Sequence, residues 1–333
     1  MIAVASIPSP PDWAQSITIP LGWLNFVGVS PTAVLPIRTY AICILVGIVV
    51  AILLTSRRLT KRGGEPGIVV DMALWTVIPG IVGARLFHVV THPNDYFAGQ
   101  SWTHIFAVWE GGLAIFGGLL FGAAGMLVGA RVSGLRFWSF ADAMVPGLIL
   151  AQAFGRFGNW FNHELFGLPT DAWWGLEIPL PNAAVPVGLP DGTLFQPTFL
   201  YEIVWNTLGF VVLILASRHG RMQWGKLTGL YLVWYGAGRI VWENIRIDPS
   251  EVFLGVRTNV WAAIGAVVLG LIIIAVQTRR HPGAEPSVYV PGREWKPTPA
   301  VDSEDTYTDT DDQGDDAPST SRATATSGQT ATS

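Results

Sequence analysis

The sequence predicts an all-α, polytopic membrane protein with seven transmembrane helices. Half of the 333 residues are hydrophobic and 13% are charged, whereas a soluble domain carries roughly a quarter charged residues. Fifteen tryptophans and 37 glycines accompany them; Trp gathers at membrane interfaces and Gly is better tolerated in membrane helices than in soluble ones. The apolar residues also come in runs close to the roughly 20 residues that cross a hydrocarbon core.

Residues 1–38 form an extracytoplasmic, interfacial N-terminal segment. Its opening MIAVASIPSPPDWAQ has no basic stretch before the first apolar residues and is broken by prolines, so it does not read as a cleaved signal peptide. Residues 39–281 hold the seven spans: Thr39–Thr55, Ile68–Val90, Gly112–Ala130, Phe137–Phe157, Phe199–Ala216, Leu227–Ile245 and Asn259–Gln277. Basic residues set the orientation. Arg57, Arg58, Lys61 and Arg62 follow the first span, and Arg131 and Arg136 lie between the third and fourth. Arg218, Arg221 and Lys226 lie between the fifth and sixth, and Arg279 and Arg280 follow the seventh. These groups alternate with loops almost free of Lys and Arg, which puts the N-terminus outside and the C-terminus in the cytoplasm.

Residues 91–108 mix aromatic and polar side chains, as an interfacial arm does, and about residues 160–197 form a small outer head. From Pro282 the composition turns to Pro, Asp, Thr, Ser and Gln. Residues 282–333 are therefore expected to be a disordered cytoplasmic tail, because they lack the apolar surface that offsets ordering. The single cysteine, Cys43, lies in an apolar run and excludes a disulfide framework or a thiolate metal site.

Ionisable residues inside spans are costly unless paired or hydrated, which makes each a candidate for function. Arg85, Asp142, Arg156, Arg239 and Glu243 fall there. Glu243 follows Arg239 by four residues, on one helix face, so mutual neutralisation is the plain alternative. In Gly155–Glu164 the glycines let backbone approach a ligand, while Arg156, Asn159, Asn162 and Glu164 supply donors and acceptors. The approach to the third span, Trp109–Gly118, is acidic at Glu110 and Gly-rich, and close helix packing explains its glycines equally well. His88, His92, His104 and His163 share no helix face, which argues against a metal.

At these residues the chain resembles the prolipoprotein diacylglyceryl transferase family. GRFGNWFNHELFG (Gly155–Gly167) is close to the family's G-R-x-G-N-F-x-N-x-E pattern. YGAGRIVWE (Tyr235–Glu243), PTFLYE (Pro197–Glu202), WEGGLAIFGG (Trp109–Gly118), GARLF (Gly83–Phe87) and RTY (Arg38–Tyr40) join it in the family's order. The resemblance implies residence in the bacterial cytoplasmic (inner) membrane. It also implies transfer of the diacylglyceryl group of phosphatidylglycerol to the lipobox cysteine of a prolipoprotein signal peptide, releasing glycerol phosphate. No cofactor, metal or nucleic acid is called for, because the lipid carries its own leaving group. Two departures stand out: Phe116 occupies a position where many members carry a His considered as a base, and Gln196 stands where a His is common.

Under that resemblance Arg156 and Arg239 clamp the lipid phosphate, since a guanidinium stays charged when buried and grips phosphate bidentately. Asn159 and Tyr40 complete the hydrogen bonding. Glu243 and Glu202 orient the arginines or accept the thiol proton. Glu164, Arg85 and Glu110 are further substrate-binding candidates. The competing reading is a polytopic transporter of an anionic or lipid substrate, which would also place charges inside its spans; against it, the sequence shows no inverted repeat.

Overall fold

The computed structural model describes residues 6–28, 30, 32–97, 102–108, 111–218 and 221–297. Before the first long helix, β1 (Ser16–Pro20) pairs antiparallel with β2 (Val34–Arg38) in a two-stranded ribbon. The helices follow in order: α1 Thr39–Thr60, α2 Ile68–Thr91, the single turn α3 Asn94–Phe97, α4 Ile115–Val132 and α5 Phe137–Phe161. A short antiparallel pair, β3 (Leu176–Glu177) with β4 (Leu194–Phe195), precedes α6 (Thr198–Ser217) and α7 (Lys226–Ile245). The hairpin β5 (Val252–Phe253) with β6 (Val256–Arg257) then leads into α8 (Thr258–Arg280).

Six of these helices, α1, α2, α4, α5, α6 and α8, are long and apolar enough to cross a membrane, so the chain is a multi-pass membrane protein. Helix α7 has 20 residues and was expected as the span Leu227–Ile245, yet it is not among the six. Its Gly, Tyr and Trp residues, with Arg239 and Glu243, leave it less apolar than the others. Large apolar side chains such as Leu45, Leu119 and Leu271 point outward, 60%, 64% and 54% exposed, which suits a lipid solvent.

Small residues set the helix pairs. A Cβ on Gly117 of α4 would fall 2.2 Å from the Gly83 carbonyl oxygen of α2, and one on Gly229 of α7 would fall 2.8 Å from that of Gly270 in α8. In both places backbone meets backbone where any side chain would intrude. The glycines of the Gly112–Gly118 stretch thus have a packing role at Gly117. The stretch enters its helix at Ile115, because Gly111 and Gly112 take positive φ (96° and 68°).

Three apolar clusters hold the molecule. One joins Leu59, Met72, Met126 and Phe140 with Val288 and Tyr289. A second, in mid-bundle, joins Val145, Ile149, Leu213, Leu227 and Tyr231. The third, Phe166, Leu176, Phe195 and Phe199, lies under the segment expected as the outer head.

The first cluster corrects the expected tail. Val288 and Tyr289 are 2% and 3% exposed, and the compact unit extends to Trp295, so disorder does not begin at Pro282. The apolar pair lies within Ser287–Val290, a short run masked in composition by the Pro, Gly and charged residues around it. Arg136 N–H donates to Val288 O (2.8 Å), Val290 N–H to Gly134 O (2.9 Å) and Glu65 N–H to the Tyr289 hydroxyl (2.9 Å). Arg62 pairs with Glu285, whose side chain is 1% exposed. Burial raises the pKa of the Glu285 carboxyl above its usual value, and the nearby Arg62 opposes that rise. Residues 298–333 lie outside the described residues.

Candidate active site

The last turns of α5 form the first half of the site. Arg156 pairs with Glu202 of α6 at 2.8 Å, and Glu202 is 4% exposed. Arg156 Nη1 also donates to Asn159 Oδ1 (3.1 Å), whose amide donates to Glu164 Oε1 (2.9 Å); Asn162 donates to the same oxygen (3.1 Å). Glu164 thus anchors two amides, and Asn159 holds the guanidinium from the side away from Glu202. Tyr40, in the first turn of α1, packs on Gly158: a Cβ there would lie 2.5 Å from the Tyr40 ring. Its hydroxyl lies within the fields of Glu164 and Arg156. The structure therefore brings Tyr40, Arg156, Asn159, Glu164 and Glu202 into one neighbourhood.

The second half centres on Glu243, which is 0% exposed. Arg239, one turn earlier on α7, pairs with it at 2.8 Å. The sequence reading expected that contact but missed three others. Arg257, at the end of β6, donates to Glu243 Oε1 (3.3 Å) and to its backbone carbonyl (2.9 Å), Asn259 donates to Oε1 (3.0 Å), and Arg246 lies 3.7 Å from Oε2. Arg246 stands three residues after Glu243, a spacing that could have flagged it. Arg257 and Asn259 reach the site through the β5–β6 hairpin, which no local pattern announces.

Arg246 links the halves. Burial works to lower its pKa, but the hydrogen-bonded Asp248 (2.7 and 2.9 Å), with the charges of Glu243 and Glu202, raises it above the ordinary arginine value. The Arg246 guanidinium thus lies in the field of both Glu243 and Glu202, the carboxylates that pair with Arg239 and Arg156. Aromatic contacts join α6 and α7: Trp205 stacks on Trp234 with centroids 4.5 Å apart, and Tyr201 meets Trp242 at 5.7 Å.

Several buried polar atoms here have no hydrogen-bond partner: Gln152 Oε1, Asn162 Oδ1, Arg239 Nη1 and Trp242 Nε1. Buried polar atoms are ordinarily satisfied, and each exception calls for an explanation. These sit on the later turns of α5 and α7, or just beyond; phosphate oxygens of a ligand would satisfy the two donors, Arg239 Nη1 and Trp242 Nε1, and ligand hydroxyls the two amide oxygens.

A scan against protein-family models matches prolipoprotein diacylglyceryl transferase over residues 29–276. The chain belongs to that family. It is 57% identical over 313 residues to the phosphatidylglycerol–prolipoprotein diacylglyceryl transferase of Leifsonia xyli subsp. xyli, covering 91% of this chain and 90% of the relative. The Streptomyces coelicolor transferase 1 is 42% identical over 268 residues (80% and 76%), and that of Mycobacteroides abscessus 40% over 306 residues (86% and 84%).

In this member of the diacylglyceryl transferase family, Arg85, Phe116 and His163 make other contacts. Arg85 is 6% exposed and spends its donors on main-chain carbonyls: Nε on Ile105 (2.9 Å), Nη1 on Gly111 (2.5 Å) and Gly112 (3.2 Å), Nη2 on His104, with the Tyr96 ring 4.9 Å away. It folds the segment before α4, and among the described residues its hydrogen bonds do not reach the Arg156 group. Phe116 is 40% exposed with its ring 6.4 Å from that of Phe87. His163, 6% exposed, engages the N-terminal segment through Pro10 O (2.7 Å) and Gln15 (3.3 Å). Glu110 lies outside the described residues. Among the described residues no group of three or more His, Cys, Asp or Glu could hold a metal ion.

Proposed function

We propose that this protein transfers the diacylglyceryl group of phosphatidylglycerol to the lipobox cysteine of prolipoproteins. It does so as a seven-span enzyme of the bacterial cytoplasmic membrane, with the N-terminus and the site outside and the residue-280 end in the cytoplasm. The relatives' names carry the activity. The observation that supports the site is a pair of buried arginine–carboxylate contacts, Arg156–Glu202 and Arg239–Glu243, with Arg246 in the field of both carboxylates and with unpartnered donors on Arg239 and Trp242.

The cysteine thiolate attacks the glycerol carbon that bears the phosphate. A carbon–sulfur bond forms as the carbon–oxygen bond to phosphate breaks, and glycerol phosphate leaves with the electron pair. Charge gathers on the departing phosphate oxygens, so donors placed there in advance lower the barrier most. Arg156 and Arg239 fill that role, with Arg239 Nη1 free to take a phosphate oxygen. Asn159 and Glu164 fix the Arg156 fork, and Tyr40 closes its side. The thiol proton passes to Glu202 or Glu243, and a thiol beside cationic groups ionises more readily.

Incubating the purified protein with phosphatidylglycerol and a lipobox peptide tests the reading. A mass gain of one diacylglyceryl group on the cysteine is expected; an unmodified peptide overturns it.

A further inference from the structure

A cavity with a basic rim lies at the other end of the bundle. It has a volume of about 390 Å³ and opens between the ends of α4 and α8 and the start of α5. Arg136 precedes α5 and Arg156 lies in its later turns, and 20 residues at 1.5 Å each separate them by about 30 Å, which matches a hydrocarbon core of about 30 Å. The cavity therefore sits at the opposite membrane face from the site described above.

Arg131, Arg136 and Arg280 line it, against one carboxylate, Glu285. Glu285 is already paired with Arg62. Arg136 is held in place by Tyr289 O (2.8 Å) and lies 4.9 Å from the Trp224 ring. Arg131 and Arg280 are exposed and have no ion-pair partner among the described residues. The surplus is thus three guanidinium groups around a cavity whose only acid is neutralised. Trp138 and Trp224 form part of the wall, the ring type that settles at headgroup level. Val128 and Val132 of α4 and Val276 of α8, 44%, 57% and 38% exposed, continue outward as apolar surface.

We infer that this cavity binds the phosphate headgroup of an anionic phospholipid in the leaflet opposite the active site, with Arg131 and Arg280 as its principal ligands and the acyl chains along α4 and α8. Basic pockets between spans on the cytoplasmic side suit such headgroups, and the guanidinium fork suits phosphate oxygens. The apolar approach favours a lipid over free phosphate.

Native mass spectrometry of the full-length protein, titrated with dioleoyl phosphatidylglycerol, tests it. Two bound lipids are expected. The double variant R131Q/R280Q should weaken one of them by about tenfold or more, while R156Q weakens the other, so the two ends are scored separately. The control R57Q/R279Q removes the same charge from exposed arginines of the same end that do not line the cavity, and it should retain both lipids. The melting temperature of R131Q/R280Q should match the parent, since both side chains are exposed. Equal weakening by the control would reduce the effect to diffuse surface charge and overturn the site. Displacement of the lipid by excess inorganic phosphate as readily as by lipid would overturn the lipid assignment.

Discussion

Glu243 shows why single arginines in this site can be removed without collapse. The carboxylate is fully buried, yet it is shared among Arg239, Arg246, Arg257 and Asn259. Losing Arg239 leaves Glu243 compensated, so Arg239→Ala should cut transfer by about 10²- to 10³-fold, the scale for losing one pre-placed charge-stabilising donor. The melting temperature should stay near that of the parent; an active variant would remove Arg239 from the chemistry. Glu243→Ala is the opposite case. It leaves Arg239 and Arg257 without a carboxylate partner, while Arg246 keeps Asp248, and breaking a buried pair from one side costs about 3–5 kcal/mol. A large drop in thermal stability is therefore expected, measured in detergent by melting. The Arg239–Glu243 contact was legible in the four-residue spacing. The remaining partners were not, because they come from a hairpin whose position depends on tertiary packing.

At the scale of elements, one carboxylate sets where α7 begins. Asp142 of α5 is 1% exposed and accepts the Gly225 N–H (2.7 Å), the Thr228 N–H (2.8 Å) and the Thr228 hydroxyl (2.7 Å). This is an N-cap supplied by a neighbouring helix. It fixes the start of α7, the helix that carries Arg239, against α5, the helix that carries Arg156. The sequence marked Asp142 only as an ionisable residue inside a span, since nothing local links it to residues 83 positions away. Asp142→Ala should cost about 1–3 kcal/mol, the range for orphaning buried N–H groups, and lower the melting temperature accordingly. Unchanged stability would mean that the cap is dispensable. Span positions were far more legible than span ends: helix α1 continues to Thr60, past the predicted Thr55, because Arg57 and Arg58 interrupt the apolar run without ending the helix.

Across the whole molecule, the family pattern and the hydropathy agree on a helical membrane bundle, and the comparison with relatives secures the family. Orientation rests on the arginine and lysine groups alone. With Cys43 replaced by Ser, a membrane-impermeant thiol reagent should label Val187→Cys from outside intact cells and Arg279→Cys only after permeabilisation; the reverse pattern would invert the topology. The segment from His281 to Trp295 was illegible because two buried side chains, Val288 and Tyr289, are outweighed in composition by polar neighbours. Truncation after Trp295 should leave melting and transfer unchanged. Truncation after Arg280 should lower the melting temperature, since it removes both side chains from the core.

That segment touches three separate turns. Glu285 meets Arg62, residues 288–290 pair with 134–136, and Lys226 Nζ donates to His281 O (2.8 Å). Translation produces residues 281–295 after every helix they fasten. During insertion the α1–α2, α4–α5 and α6–α7 turns therefore stand unfastened, and this end of the bundle latches only once the ribosome has passed α8.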